Sequence, residues 1–126
     1  MNTPKELNYT KTHEWIKDLN NGTVEIGLTD YAQDALGDLV FVNLPQVGDS
    51  VTAGTTFCDV ESVKAVSNIY SPISGTIRAI NEDLLDQPEL VNSDAMGAWF
   101  IEVENITEQA ELLSEEEYQD FLKEQE

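Results

Sequence analysis

Phe57-Cys58-Asp59-Val60-Glu61-Ser62-Val63-Lys64-Ala65-Val66-Ser67-Asn68-Ile69-Tyr70-Ser71-Pro72-Ile73-Ser74-Gly75-Thr76-Ile77 carries near its middle the only lysine between Lys17 and Lys123. On either side, Thr55 to Val63 and Ala65 to Ile69 are rich in β-branched and small residues and hold no proline, the composition of strands. Two strands meeting there make a hairpin with Lys64 at its turn. The join has no Asn-Gly or Asp-Gly, so local turn chemistry does not account for the reversal and the flanks alone carry the expectation. A lysine at a hairpin tip is ordinarily a solvated charge that blunts an edge. On these residues alone, that reading competes with a functional one.

The surrounding motifs change the weighting. Glu61-Ser62-Val63-Lys64-Ala65, followed by Ser71-Pro72-Ile73-Ser74-Gly75 and preceded by Val47-Gly48-Asp49 and Gly54, resembles the lipoyl-lysine hairpin of the glycine cleavage system H-protein family. Tyr9-Thr10, His13-Glu14-Trp15, Gly27-Leu28-Thr29-Asp30-Tyr31-Ala32-Gln33, Leu36-Gly37-Asp38 and Val40-Phe41-Val42-Asn43-Leu44-Pro45 look like family motifs in family order. So do Asn81, Leu84, Pro88-Glu89-Leu90-Val91-Asn92 and Trp99, and the resemblance runs from about Tyr9 to Phe121. Two departures stand out. Asp94-Ala95-Met96-Gly97-Ala98-Trp99 is one residue short of the family pattern, and Asn68 stands where relatives often have aspartate.

The resemblance implies a mainly β fold, a small sandwich or flattened barrel of the lipoyl/biotinyl (barrel-sandwich hybrid) type with short flanking helices and a C-terminal helix. It implies (R)-lipoate joined through an amide to Lys64 by a lipoate ligase or octanoyltransferase, with Glu61, Ser62, Val63 and Ala65 as the residues that enzyme reads. On an extended strand Glu61 and Ser62 point to opposite faces; Glu61 as a charge mark competes with an ordinary exposed carboxylate. The implied partners are the P protein (glycine decarboxylase, pyridoxal phosphate), the T protein (aminomethyltransferase, tetrahydrofolate) and the L protein (dihydrolipoyl dehydrogenase, FAD). The chain would carry the aminomethyl group from the first to the second, and the third would reoxidise the dithiol.

An exposed lysine amine is protonated at neutral pH and is a poor base or nucleophile, so Lys64 suits the part of substrate for acylation better than that of catalyst. A tethered reactive group reaches roughly millimolar effective concentration at each docked enzyme. An aminomethyl adduct would hydrolyse in open water, so a cleft that shelters the arm is a physical requirement. Glu14 is the candidate partner for the adduct's ammonium, with His13 beside it and Leu28 among the apolar positions along the stem. The competing reading makes His13 and Glu14 surface residues at a strand end.

At 126 residues the chain fits one domain able to bury about two thirds of its unfolded surface. Within it the hairpin region spans about 38–80, and a C-terminal helical segment about 107–125. With 25 acidic and 6 basic residues, the formal charge of −19 disfavours nucleic acid and anionic membranes. It favours partners with basic docking surfaces, although solubility alone explains it equally well. The start, Met1 to Glu6, shows no apolar signal core, and no window approaches a membrane span. A bacterial cytoplasmic protein is expected, with a processed mitochondrial form left open, and a monomer because no long apolar stripe is left over. One Cys and one His exclude an internal disulfide and a His/Cys zinc site, so Cys58 reads as a small core residue.

Tyr9 to Lys17 reads as a strand, Asn20-Asn21-Gly22 as a turn, and Thr23 to Leu28 as its returning strand. Asp30 is expected to cap a helix over Tyr31 to Leu36 that Gly37 stops, and Asp38 to Leu44 to be a strand ended by Pro45. Val47 to Val63 and Val66 to Ile80 have the rhythm of two similar halves folded about Lys64. Asn81 to Asn92 suggests a loop with a helical turn, and Trp99 to Val103 a closing strand. Ser114-Glu115-Glu116-Glu117 is a capping box, and Tyr118, Phe121 and Leu122 give the following helix one apolar face that covers the sheet.

Three other functions compete. A relay that hands lipoyl or octanoyl groups to other lipoyl domains shares every residue above. A biotinyl carrier would place Met on both sides of the lysine, where this chain has Val63 and Ala65. An enzyme would need a nucleophile and base pair, a phosphate-binding loop or a metal cluster, and the sequence shows none.

Overall fold

The two arms of the Lys64 hairpin pair with each other twice, in two different sheets. A computed structural model describes residues 7–19, 22–109 and 112–125. In it β6 (Thr56–Ser62) pairs antiparallel with β7 (Val66–Tyr70), Val60 facing Ser67. Further out, β5 (Ser50–Val51) pairs with β8 (Ile73–Ile80), Val51 facing Gly75. Both registers are centred at Val63–Lys64, so the expected halves are arms of one long hairpin whose outer ends cross into the other sheet.

β6 lies between β7 and β4 (Leu39–Asn43) in a three-stranded sheet. The other sheet has six strands in the order β1 (Leu7–Tyr9), β2 (Glu14–Asp18), β3 (Val24–Leu28), β9 (Ile101–Gln109), β8 and β5. Val42, Cys58, Val60 and Ile69 from the smaller sheet join Ile26, Ile77, Ile101 and Val103 from the larger in one buried cluster. Each fully buried aliphatic side chain there contributes about 1.5–3 kcal/mol. The architecture is the mainly β sandwich expected from the sequence, with Cys58 in its core. No helix among the described residues is long and apolar enough to cross a membrane.

Several boundaries differ from the sequence reading. Tyr9 to Lys17 is two strands, β1 and β2, paired through Tyr9 and Trp15. The break is local: the Thr10 carbonyl accepts from the His13 amide at 3.1 Å, the Thr10 hydroxyl accepts from the Glu14 amide at 3.0 Å, and His13 takes φ 72°. β2 and β3 pair as expected, but Asn20 and Asn21 of their turn lie outside the described residues.

Helix α1 (Asp30–Leu36) is capped by Thr29 rather than Asp30, the Thr29 hydroxyl accepting from the Ala32 amide at 3.2 Å. Asp30 instead accepts from the Gln33 side chain. Gly37 ends the helix at φ 84°, a conformation that L side chains resist. Between Asn81 and Asn92 there are two short helices, α2 (Asp83–Asp86) and α3 (Leu90–Ser93).

The closing strand starts at Ile101 and runs to Gln109, because β8 offers partners as far as Ile73. Helix α4 (Glu115–Gln125) therefore begins later than the segment expected from about 107. Its capping box is present: the Ser114 amide donates to the Glu117 carboxylate at 2.9 Å, and the Glu117 amide to the Ser114 hydroxyl at 3.1 Å. Tyr118 stacks on Tyr9 at 4.8 Å between ring centroids and closes a second buried cluster with Trp15 and Leu113.

Candidate functional site

The turn at Lys64 is built by Ser62. Its hydroxyl accepts from the backbone amides of Lys64 and Ala65, each at 3.1 Å, while the Ser62 amide donates to the Ala65 carbonyl at 2.8 Å. A serine side chain standing in for a backbone acceptor reverses the chain without Asn-Gly. Local chemistry therefore does account for the reversal, contrary to the sequence expectation; Ser62 two residues before the tip was the available signal.

The turn is tied to its neighbour as well. The Val63 amide donates to the Asp38 carbonyl at 3.0 Å, where the chain passes from α1 into β4. The Lys64 side chain lies over Gly37, with Cε 3.0 Å from the position a β-carbon there would take. Lys64 and Ala65 are exposed, and Val63 is 67% exposed. Glu61 is half-buried on β6, and in register it stands between Phe41 of β4 and Val66 of β7. Directly opposed strand residues share a face, and Phe41 and Val66 are 58% and 62% exposed. An apolar pair around a carboxylate thus flanks the presented amine.

The residues expected to line a cleft for the arm divide between two adjoining spaces. His13 and Leu28 border a groove of about 160 Å³ with Ala32, Leu36, Asn68 and Ile69. Glu14 borders a cavity of about 480 Å³ with Thr10, Tyr70, Ser71 and Pro72. Thr12 lines both. Asn68 lies four residues along the strand from Lys64, about 13 Å at strand rise.

Glu14 is no surface residue: it is 1% exposed. Its Oε1 accepts from the hydroxyls of Thr10 and Thr12. Burial pushes its carboxyl up to about 7, against the lowering pull of those hydroxyls and the Tyr70 backbone. Charging a buried carboxylate carries an intrinsic penalty that a cation arriving in the cavity would relieve. His13, half-buried, bonds Tyr118 Oη through Nδ1 at 2.8 Å, and Thr29 Oγ1 meets the same hydroxyl at 2.8 Å. That ring is committed to holding α4, and burial pushes its pKa down. The sequence reading missed the two threonines that hold Glu14, although Thr10-Lys11-Thr12-His13-Glu14 spaces three polar side chains two apart.

An exposed amine on a braced turn, a bordering apolar groove and a buried carboxylate fit an acyl-lysine arm with a cationic end. Comparison with known proteins points the same way. Residues 7–125 match the family model described as "Glycine cleavage H-protein". A glycine cleavage system H protein of Lachnoclostridium phytofermentans is 54% identical over 123 residues, 98% of this chain and 97% of that one. A probable glycine cleavage system H protein of Pyrococcus horikoshii is 50% identical over 120 residues, covering 93% and 90%. The crystal structure of a glycine cleavage system H protein from Mycobacterium marinum superposes with a TM-score of 0.88 at 39% identity, covering 96% of this chain and 99% of the other.

Proposed function

The chain belongs to the glycine cleavage H-protein family, and from that premise we propose that Lys64 carries lipoate and that the chain itself catalyses nothing. The observation that carries this reading is the amine's placement at the apex of a hairpin whose turn is fixed on three sides, by Ser62, Asp38 and Gly37. A rigid support presents an extended amine to a modifying enzyme with little ordering left to do. Glu61, with Phe41 and Val66 beside it, offers a lipoate ligase or octanoyltransferase a charged and apolar mark next to the target.

The dithiolane, once attached, supplies the group-carrying and redox chemistry that the polypeptide lacks. The chain holds and shelters. Leu28, Ala32, Leu36 and Ile69 exclude water from the stem's path, and Glu14 accepts the cationic amine brought in from glycine. With Thr10 and Thr12 already donating to it, the carboxylate is fixed before the cation arrives, so little reorganisation is needed. The partners on this reading are the pyridoxal-phosphate glycine decarboxylase, the tetrahydrofolate-dependent aminomethyltransferase and the flavin dihydrolipoyl dehydrogenase. The formal charge of −19 suits basic docking faces on each of them.

A reconstituted assay tests it. The lipoylated chain, mixed with a glycine decarboxylase, supports exchange of labelled bicarbonate into glycine, and the Lys64→Arg chain supports none. Exchange that persists with Lys64→Arg would contradict the assignment.

A further inference from the structure

Asn92, on the short helix α3, makes three side-chain hydrogen bonds, and two of them grip the same corner of the chain. Its Oδ1 accepts from the Leu39 amide at 2.9 Å, and its Nδ2 donates to the Gly37 carbonyl at 2.9 Å and to Gln33 Oε1 at 3.0 Å. A backbone amide and a backbone carbonyl each admit only one complement, so the orientation of the side-chain amide is fixed. The residue between these two anchors is Asp38, whose carbonyl takes the Val63 amide. Gly37, the first anchor, is the surface over which the Lys64 stem lies.

We propose that Asn92 is a positioning residue for Lys64: by bracketing Asp38 it sets where the hairpin tip is held and so how the amine is offered to the lipoylating enzyme. It touches neither the amine nor the tip. Its effect passes through the Gly37–Leu39 corner, which would otherwise follow the end of α1 and the start of β4 independently. Alanine removes both anchors; aspartate keeps an acceptor for Leu39 and loses the donor to Gly37; Gln33→Ala leaves both anchors in place and removes the third bond together with the exposed Gln33–Asp30 bond within α1. This rests on the reading that Lys64 is the acylated amine.

Two readouts separate positioning from general stability. Amide hydrogen exchange at Val63 is expected to speed up about tenfold in Asn92→Ala, with Val60 and Ile77 in the sheets unchanged. Lipoylation of the unmodified chain by a lipoate ligase is expected to show KM raised about fivefold with kcat within about twofold. Asn92→Asp falls between wild type and alanine on both measures, and Gln33→Ala matches wild type. Unchanged exchange at Val63, or equal acceleration at Val60 and Ile77, would overturn the proposal. If wild type is not lipoylated at all, the reading of Lys64 fails, and exchange at Val63 alone decides the role of Asn92.

Discussion

The Cε atom of Lys64 lies 3.0 Å from where a β-carbon on Gly37 would stand. The absence of a side chain at that one position lets the lysine stem rest against the corner between α1 and β4. Gly37 also ends the helix with φ 84°, so one residue serves both the cap and the contact.

Gly37→Ala should act on both. At φ 84° and ψ −165° the backbone lies in a region open essentially to glycine alone, which costs an alanine about 1–3 kcal/mol and lowers Tm by roughly 4–11 °C in a domain of this size. The new methyl displaces the lysine stem, so the rate of lipoylation falls more than the loss of stability alone explains. Equal rates for the two proteins at a temperature where both are folded would count against the contact.

Ser62→Ala removes the acceptor for the Lys64 and Ala65 amides. Both sit at an exposed turn where water substitutes, so the cost in stability is at most about 1 kcal/mol. The expected signature is local: faster amide exchange at Lys64 and Ala65, with a Tm within a few degrees of wild type. Ser62→Thr, which keeps the hydroxyl, should restore protection.

Glu14 gives the fold a pH dependence with a definite sign. Its folded pKa, about 7, lies above the ordinary 4.5, so the folded chain favours the protonated carboxyl. The stability this group contributes is complete below about pH 4.5 and is lost as pH rises to about 7, a change on the order of 3 kcal/mol. In urea unfolding at a series of pH values, wild type should lose stability relative to Glu14→Gln as pH rises from 5 to 8. Parallel pH profiles would show that the carboxyl titrates normally.

The same substitution probes the shelter. With the aminomethyl-loaded arm, Glu14→Gln should hydrolyse to ammonia and formaldehyde about tenfold faster than wild type, because the neutral amide holds a cation less well. Equal rates would remove Glu14 from the account.

How far the sequence could be read depended on where each signal lay. The Lys64 hairpin was legible because its two flanks are strand-forming and its tip residue is chemically distinct. The core positions of β3, Val24, Ile26 and Leu28, were legible from alternation because one face of that strand meets the main cluster. β2 was harder: Glu14, Trp15 and Ile16 are all buried. Ile16 faces the main core, while Trp15 is covered by the Tyr9 and Tyr118 cluster under α4. Alternation cannot show a strand covered on both faces, so the sequence left Glu14 open between a cleft partner and a strand-end surface carboxylate.

Gly27 makes the same point, since a β-carbon there would come within 2.6 Å of the Trp15 indole directly across the pair. The Ser62 turn carried only Ser62 itself as a local signal, and the Asn92 brace was invisible for another reason. Each is a side chain replacing a backbone hydrogen-bond partner, and the Asn92 bonds to Gly37 and Leu39 cross more than fifty residues of sequence, a distance that no local pattern spans.

The central claim is that one amine, at the hairpin apex, accepts the acyl group. Intact-mass spectrometry with peptide mapping after incubation with lipoate and a lipoate ligase tests it most directly. One lipoyl amide per chain, confined to the peptide containing Lys64 and absent from Lys64→Arg, is the predicted result. A lipoyl amide on Lys11, Lys17 or Lys123, or an unmodified Lys64 under conditions that modify a known lipoyl domain, would contradict it.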